Sequence, residues 1–155
     1  MRLYLMRHTD AERSHGNDFD RRLSEEGKRQ ADKMGQWIKV LDKGPIRFVT
    51  SPYPRAAETA EIVAAACGSE PPQTDERLAS GMRVDEASAL VHDFGSESVR
   101  LCLVGHAPDL DHLAAWLAGA GTTNIEIKKG AVAAFSCERP GHGGSTLKWL
   151  INPSL

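Results

Sequence analysis

The sequence predicts a three-layer α/β/α sandwich whose sheet is mostly parallel and has an antiparallel edge. Short apolar segments typical of buried strands alternate with longer segments of helical periodicity. The last two strand segments are separated only by a glycine-rich turn, which predicts an antiparallel hairpin. A length of 155 residues suits one domain with a sizeable core, so we expect a single domain over residues 1–155.

The first strand is predicted at the amino terminus, where an apolar run ends abruptly on Arg7 and His8. The polar segment 9–23 that follows is long enough to fold over a site, and a solvated connection is the alternative interpretation. A helix then begins after Ser24, a capping residue followed by two glutamates, and ends at Lys43-Gly44-Pro45. Apolar residues at helical spacing give this helix one buried face: Ala31, Met34, Trp37, Ile38 and Leu41.

A second strand and helix follow this first pair. A β-branched and aromatic strand over 46–50 leads through a proline-rich turn into a helix that carries Arg55 in its first turn and ends at Gly68. Residues 69–98 are less regular, and a short helix is predicted there over 84–91.

The third pair begins with a strand over 99–104, which His106 and its neighbours end. Asp109 opens the next helix, and glycines close it. The hairpin strands are predicted over 131–137 and 146–151. Strands that alternate with helices in this way predict a parallel sheet covered on both faces.

Composition excludes several classes of partner. The net charge is −2, so no strongly basic face is implied and nucleic acid is not expected. No apolar segment approaches the roughly 20 residues that span a bilayer, so no membrane partner is expected. The first apolar run is broken by Arg7 and His8, which argues against a signal peptide.

The cysteines and histidines predict a reduced protein without a metal. Three widely spaced cysteines in apolar surroundings indicate buried free thiols, and therefore a cytoplasmic location: Cys67, Cys102 and Cys137. The six histidines show no metal-ligand spacing, so we expect no metal and no other cofactor.

Functional side chains follow three successive strands at the same structural position: Arg7 and His8, then Arg55, then His106. Each alone has an ordinary explanation, such as a surface turn or a histidine that closes a strand. Together they lie at one edge of a parallel sheet, where ligands bind. Arginine donates two parallel hydrogen bonds to phosphate oxygens, and a helix amino terminus near Arg55 adds further donors. We therefore predict a pocket for a dianion in which His8 is the nucleophile for a phosphoryl group.

Four segments, 5–8, 22–27, 51–60 and 104–108, resemble the histidine phosphatase superfamily, which also contains the phosphoglycerate mutases. The resemblance spans nearly the whole chain, and the third segment is the most specific. It implies a phosphoglycerate-mutase-like fold. The length and the short middle section resemble the small SixA-type phosphohistidine phosphatases.

The resemblance implies a role for each matching residue. His8 would accept the phosphoryl group, while Arg7, Arg55 and His106 would hold its oxygens and stabilise its charge. The chain departs from the family at Thr9, where a small residue, most often glycine, is usual. Since glycine permits close backbone approach, Thr9 puts the loop geometry in question. Its hydroxyl is a candidate phosphate-binding group.

The acid that protonates the leaving group has three candidates, Asp10, Asp18 and Glu76. We choose Glu76, with a solvated carboxylate as the alternative interpretation. Family members that act on alcohol esters usually take a glutamate from a larger middle insertion, and residues 69–98 leave little room for one. Imidazole, with a pKa of about 6.5, is a better leaving group than an alkoxide and needs less help from an acid.

The predicted function is a phosphohistidine phosphatase that acts on proteins, because a short middle section predicts an open crevice. A phosphatase of small alcohol-ester phosphates and a non-catalytic phosphate-binding module are the alternatives. A mutase is disfavoured, since retaining the phosphoryl group needs an enclosed pocket. The expected partner is a phosphorylated protein or a small phosphate ester, and we expect a monomer or a weak dimer.

Overall fold

The computed structural model describes residues 1–14, 16–121 and 124–154. Within these ranges the chain forms one six-stranded sheet: β1 (Arg2–Arg7), β2 (Arg47–Thr50), β3 (Gln73–Thr74), β4 (Arg100–Gly105), β5 (Val132–Cys137) and β6 (Ser145–Ile151). The strand order is β3-β2-β4-β1-β5-β6. The first four strands in this order are parallel, while β5 is antiparallel to both β1 and β6. The predicted mostly parallel sheet with an antiparallel edge is confirmed.

Four helices cover the sheet within the described ranges: α1 (Glu25–Leu41), α2 (Pro54–Cys67), α3 (Val84–Phe94) and α4 (Asp109–Leu117). Alternate residues of β1 point to opposite faces, as strand geometry requires. Leu3 and Leu5 pack with α3 and α4, whereas Tyr4 and Met6 pack with α1 and α2. The three predicted layers are therefore present. No helix in this part of the chain is long and apolar enough to cross a membrane.

The ends of α1 and α2 follow their predicted signals. The Ser24 hydroxyl accepts a hydrogen bond from the Gly27 N–H at 3.0 Å, which caps α1. Pro54 begins α2, and Gly68 ends it in the left-handed conformation with φ 73°. A Cβ on Gly27 would lie 1.9 Å from the backbone oxygen of Asp10, so glycine is required for the segment after β1 to pack against α1.

Three local features differ from the sequence prediction. Strand β3 is not predicted because its two residues are both exposed and show no apolar alternation. Helix α3 extends three residues past the predicted end at Val91. Leu41 belongs to the predicted apolar face of α1 but is 51% exposed, since α1 ends at this residue.

The three cysteines are unpaired. Cys102 and Cys137 are buried as predicted, while Cys67 is only half-buried. Burial raises the pKa of the Cys67 thiol to about 11, so the thiol stays protonated at neutral pH. The cytoplasmic location stays a prediction.

Candidate active site

The carboxyl ends of β1, β2 and β4 meet at the point where the strand order reverses. Strand β4 lies between β1 and β2, although it follows both along the chain. His8 directly follows β1, Ser51 follows β2 and His106 follows β4. The His8 N–H donates to the backbone oxygen of Gly105 at 3.0 Å. Ligands of open α/β sheets bind in the crevice at this position.

The side chains predicted from the three strand ends are buried close together. His8, Arg55 and His106 are 6%, 5% and 3% exposed. The ring centroids of the two histidines are 5.4 Å apart. The centroid of the Tyr53 ring lies 4.8 Å from the centroid of the His106 ring and 4.9 Å from the guanidinium carbon of Arg55, so Tyr53 contacts both side chains. Arg7 is close enough for its charge to lower the pKa of both histidines.

Three nitrogens of this group are buried without a hydrogen-bond partner among the described residues: Arg7 Nε, Arg55 Nε and His106 Nδ1. Buried N–H groups without partners are rare, because each costs free energy comparable to a lost hydrogen bond. Two of the three belong to guanidinium groups, whose donors suit an anion with several oxygens. The arrangement can therefore bind a phosphoryl group.

The His8 ring is held in one tautomer. Its Nδ1 lies 2.7 Å from the backbone oxygen of Thr9, which can only accept, so Nδ1 carries the hydrogen and Nε2 carries the lone pair. Burial lowers the pKa of His8 to about 3; the hydrogen bond to Thr9 opposes this shift, and the charges of His106, Arg55 and Arg7 add to it. At neutral pH, Nε2 is therefore available as a nucleophile.

Ser51 orients the second histidine. Its hydroxyl oxygen accepts from the Tyr53 N–H at 3.2 Å and lies 2.7 Å from His106 Nε2. Among the described residues this ring nitrogen is the one acceptor that the fully buried hydroxyl has, so Ser51 donates to Nε2 and Nδ1 carries the hydrogen. Burial, together with the charges of Arg55 and Arg7, lowers the pKa of His106 to about 4, and the charge of Asp18 opposes this shift. His106 thus presents a neutral Nδ1–H donor.

Thr9 connects the loop after β1 to helix α2. The Thr59 hydroxyl donates to the backbone oxygen of Arg55 at 2.7 Å and accepts from the Thr9 N–H at 3.1 Å. Because Thr59 has used its one hydrogen, the Thr9 hydroxyl must be the donor in their 3.2 Å contact. These contacts tie Thr9 to the backbone of Arg55, and the predicted contact of Thr9 with phosphate stays a prediction.

The polar segment 9–23, of which His15 lies outside the described residues, reaches this site through a 3-10 helix at Asp18–Asp20. Arg55 donates from Nη1 to the Asp18 backbone oxygen at 2.9 Å and from Nη2 to the Asp18 carboxylate at 3.1 Å. Asp18 therefore binds both terminal nitrogens of the guanidinium, and Nε has no partner among the residues that the structure describes. Although burial opposes the shift, a hydrogen bond from Arg21 and the charge of Arg55 lower the pKa of Asp18.

The other two acid candidates occupy different surroundings. Asp10 accepts from the Ser24 hydroxyl at 2.7 Å and from Lys129 Nζ at 3.3 Å, and these contacts lower its pKa. Glu76 begins a 3-10 helix just after β3, at the same end of the sheet as His8, and its side chain is exposed. Its role as the acid stays a prediction.

Within the described ranges, no group of three or more histidine, cysteine, aspartate or glutamate side chains could hold a metal ion. The candidate ligands near His8 are themselves engaged: His8 Nδ1 by Thr9, His106 Nε2 by Ser51 and Asp18 by Arg55. Apart from the single lone pair on His8 Nε2, the polar groups left over are N–H groups, which bind anions.

The supporting roles of Ser51, Tyr53 and Thr59 are not predicted from the sequence. Ser51 directly follows β2, so the rule that selected His8 and His106 could have selected it as well. Thr59 lies one helical turn after Arg55, on the same face of α2. The contact of Tyr53 with His106 depends on the strand order and leaves no local signal.

The two buried imidazoles are expected to make the fold sensitive to acid. Each histidine has a pKa near 6.5 in the unfolded chain, against about 3 for His8 and 4 for His106 in the folded protein. The unfolded chain then binds more protons below pH 6.5, so their contribution to stability is complete above that pH and is lost as the pH falls towards 3. Between pH 7 and pH 5 we expect the free energy of unfolding to fall by about 2 kcal/mol for each histidine.

Urea unfolding of His106→Gln at both pH values checks this prediction. From pH 7 to pH 5, the free energy of unfolding of the variant should fall by about 2 kcal/mol less than that of the parent protein. His92→Gln is the matched control, since it makes the same chemical change at a side chain that is 81% exposed. Equal losses in His106→Gln and the parent protein would contradict the prediction.

Comparisons with known proteins agree with the resemblance in the sequence. The family model for the histidine phosphatase superfamily (branch 1) matches residues 3–83. Phosphohistidine phosphatase SixA of Escherichia coli (strain K12) is 29% identical over 156 residues, which cover 99% of this chain and 94% of that protein. An uncharacterized protein of Picosynechococcus sp. is 32% identical over 136 residues, covering 85% of this chain and 82% of that protein.

A solved structure is similar over the same extent. The protein histidine phosphatase SixA complexed with tungstate superposes with a TM-score of 0.89 at 26% identity, covering 99% of this chain and 98% of that one. The predicted family, phosphoglycerate-mutase-like fold and phosphatase activity are thereby confirmed. The chain belongs to the histidine phosphatase superfamily and is a phosphatase.

Proposed function

We propose that this phosphatase removes phosphoryl groups from phosphohistidine on other proteins, through a covalent phosphohistidine intermediate on His8. One observation carries the proposal: a neutral His8 is clustered with three buried nitrogens that lack hydrogen-bond partners within the described part of the chain. A nucleophile beside donors for the oxygens of a phosphoryl group is what covalent phosphoryl transfer requires.

In the first step, the lone pair on His8 Nε2 attacks the phosphorus in line with the departing nitrogen of the substrate. A P–N bond forms to His8 while the P–N bond to the substrate imidazole breaks. The hydrogen bond from Nδ1 to the Thr9 oxygen holds the ring and stabilises its developing positive charge. Arg7 and Arg55 neutralise the charge on the three phosphoryl oxygens, and His106 donates a hydrogen bond to them from its neutral ring; charge stabilisation of this kind is the main catalytic contribution in such reactions.

In the second step, water attacks the phosphorus of the phosphorylated His8. The P–N bond breaks, its electron pair returns to Nε2, and inorganic phosphate leaves with the oxygen and one hydrogen of the water. The second proton of the water passes to the Glu76 carboxylate, which gave its own proton to the departing imidazole in the first step. Two of the acid candidates, Asp10 and Asp18, have lowered pKa values and are therefore poor proton donors. The imidazole that leaves in the first step needs little protonation, which favours phosphohistidine over an alcohol ester. We propose Glu76 as the acid that protonates this imidazole.

The middle of the chain favours a protein substrate. Helix α3 packs Ala87, Leu90 and Val91 into the core on the face of the sheet that it shares with α4. This helix therefore belongs to the covering layer and does not extend over the crevice. An open crevice admits a phosphorylated side chain that projects from another protein. The name of the Escherichia coli relative, a phosphohistidine phosphatase, supports the same substrate class.

The test compares kcat/KM for a protein phosphorylated on histidine with kcat/KM for a small sugar phosphate. We expect kcat/KM to be at least about a hundredfold higher for the phosphohistidine protein. An alcohol ester depends more strongly on a general acid, and a general acid usually contributes a factor of about this size. More efficient turnover of the sugar phosphate would contradict the proposal and favour a phosphatase of small alcohol esters. Binding of phosphate without turnover of either substrate would indicate a non-catalytic module.

A further inference from the structure

A row of aromatic rings leads from His106 to the surface. The centroids of the Tyr53 and His106 rings are 4.8 Å apart with the planes at 61°, and those of Phe19 and Tyr53 are 4.9 Å apart at 64°. Both pairs have the edge-to-face geometry that aromatic rings prefer. Phe19 ends the row and is 38% exposed. An apolar ring is therefore presented to solvent beside a strongly polar site.

Phe19 is held in this place by its neighbours. The Asn17 side chain accepts a hydrogen bond from the Phe19 N–H at 3.1 Å, which caps the 3-10 helix. The preceding residue, Asp18, accepts two hydrogen bonds from Arg55. The position of the Phe19 ring is thereby coupled to the guanidinium group that holds the phosphoryl oxygens.

We propose that Phe19, supported by Tyr53, selects substrates whose leaving group is a flat aromatic ring. The inference rests on the proposed function, because the imidazole of phosphohistidine is such a ring. When the phosphoryl group is bound beside His8, an aromatic leaving group can pack against the exposed part of the Phe19 ring and so extend the row. An aliphatic or very small leaving group gains much less from this contact. Phe19 is then a specificity-determining residue and takes no part in the bond changes.

The experiment uses two substrates that share a P–N bond and differ in the ring, phosphoimidazole and phosphoramidate. Phe19→Ala is expected to lower kcat/KM for phosphoimidazole about three- to tenfold, mainly through KM, the loss that one aromatic contact predicts. Turnover of phosphoramidate should change by less than about twofold, since no ring contact is lost. Phe19→Trp should retain the preference for phosphoimidazole, and Phe19→Leu should lose most of it.

Val40→Ala is the matched control, because Val40 is a 76% exposed apolar residue near the end of α1 and should leave both rates unchanged. An equal loss on both substrates in Phe19→Ala would overturn the inference in favour of a structural role, and no loss on either would also overturn it. Phenyl phosphate separates the inference from the proposed function. If turnover of phenyl phosphate depends on Phe19 and phosphoimidazole is not turned over, the role of Phe19 is supported and the proposed function is wrong.

Discussion

Replacing His8 by glutamine is expected to lower kcat by at least about a thousandfold, because loss of the nucleophile removes the first step of a covalent mechanism. The glutamine amide can still donate a hydrogen bond to the Thr9 oxygen, so the loop after β1 should keep its conformation. The measurement is release of inorganic phosphate from a protein phosphorylated on histidine, under saturating substrate.

His92→Gln is the control for this substitution, since it makes the same chemical change at an exposed position on α3. Its kcat should equal that of the parent protein. Circular dichroism and urea unfolding at pH 7 should show that both variants are folded. Activity of His8→Gln within about tenfold of the parent protein would exclude the covalent mechanism, since such a loss is smaller than removal of a nucleophile gives.

Replacing Arg55 by alanine is expected to lower kcat about a hundred- to a thousandfold, the usual effect of removing a preorganised donor to a transition-state charge. Arg55 is 5% exposed, so its charge acts on the phosphoryl oxygens with little screening by water. Arg55→Lys keeps a charge but loses the planar arrangement of donors, and it should recover only part of the rate. Arg29→Ala, on the exposed face of α1, should leave kcat unchanged.

A second variant separates two ways in which Arg55→Ala could act, since Arg55 also holds the loop through Asp18. Asp18→Ala removes the carboxylate contact while it leaves Arg55 in place. If Arg55 acts on the phosphoryl group, Asp18→Ala should lower kcat much less than Arg55→Ala. Equal losses in the two variants would show that the loop contact, and not phosphate binding, explains the effect of Arg55.

Most of the fold could be predicted because its signals are local. The alternation in β1, the Ser24 cap and the Gly68 terminator each act within a few residues, and each is present in the structure. Strand β3 has no such signal, because it consists of two exposed residues held by pairing with β2. The exposure of Leu41 depends on where α1 leaves the sheet, which helical periodicity alone does not specify.

One topological rule accounts for how much of the candidate site the sequence could predict. Parallel strands place their carboxyl ends at one edge, so His8 and His106 could be assigned to one crevice before the strand order was known. The contact between Ser51 and His106 requires β2 and β4 to be neighbours, a pairing between residues 55 positions apart. The hydrogen bond from Arg55 to the Asp18 carboxylate depends on the path of a polar loop, about which hydrophobic periodicity gives no information.

In the proposed mechanism, His8 Nε2 carries the phosphoryl group during turnover. The most direct measurement mixes the enzyme with a protein phosphorylated on histidine, stops the reaction in base within the first turnover, and maps phosphorylated peptides by mass spectrometry. We expect one acid-labile phosphoryl group on the peptide that contains His8, and none in His8→Gln. A phosphoryl group on His106, or full turnover with no phosphorylated peptide at any time, would contradict it.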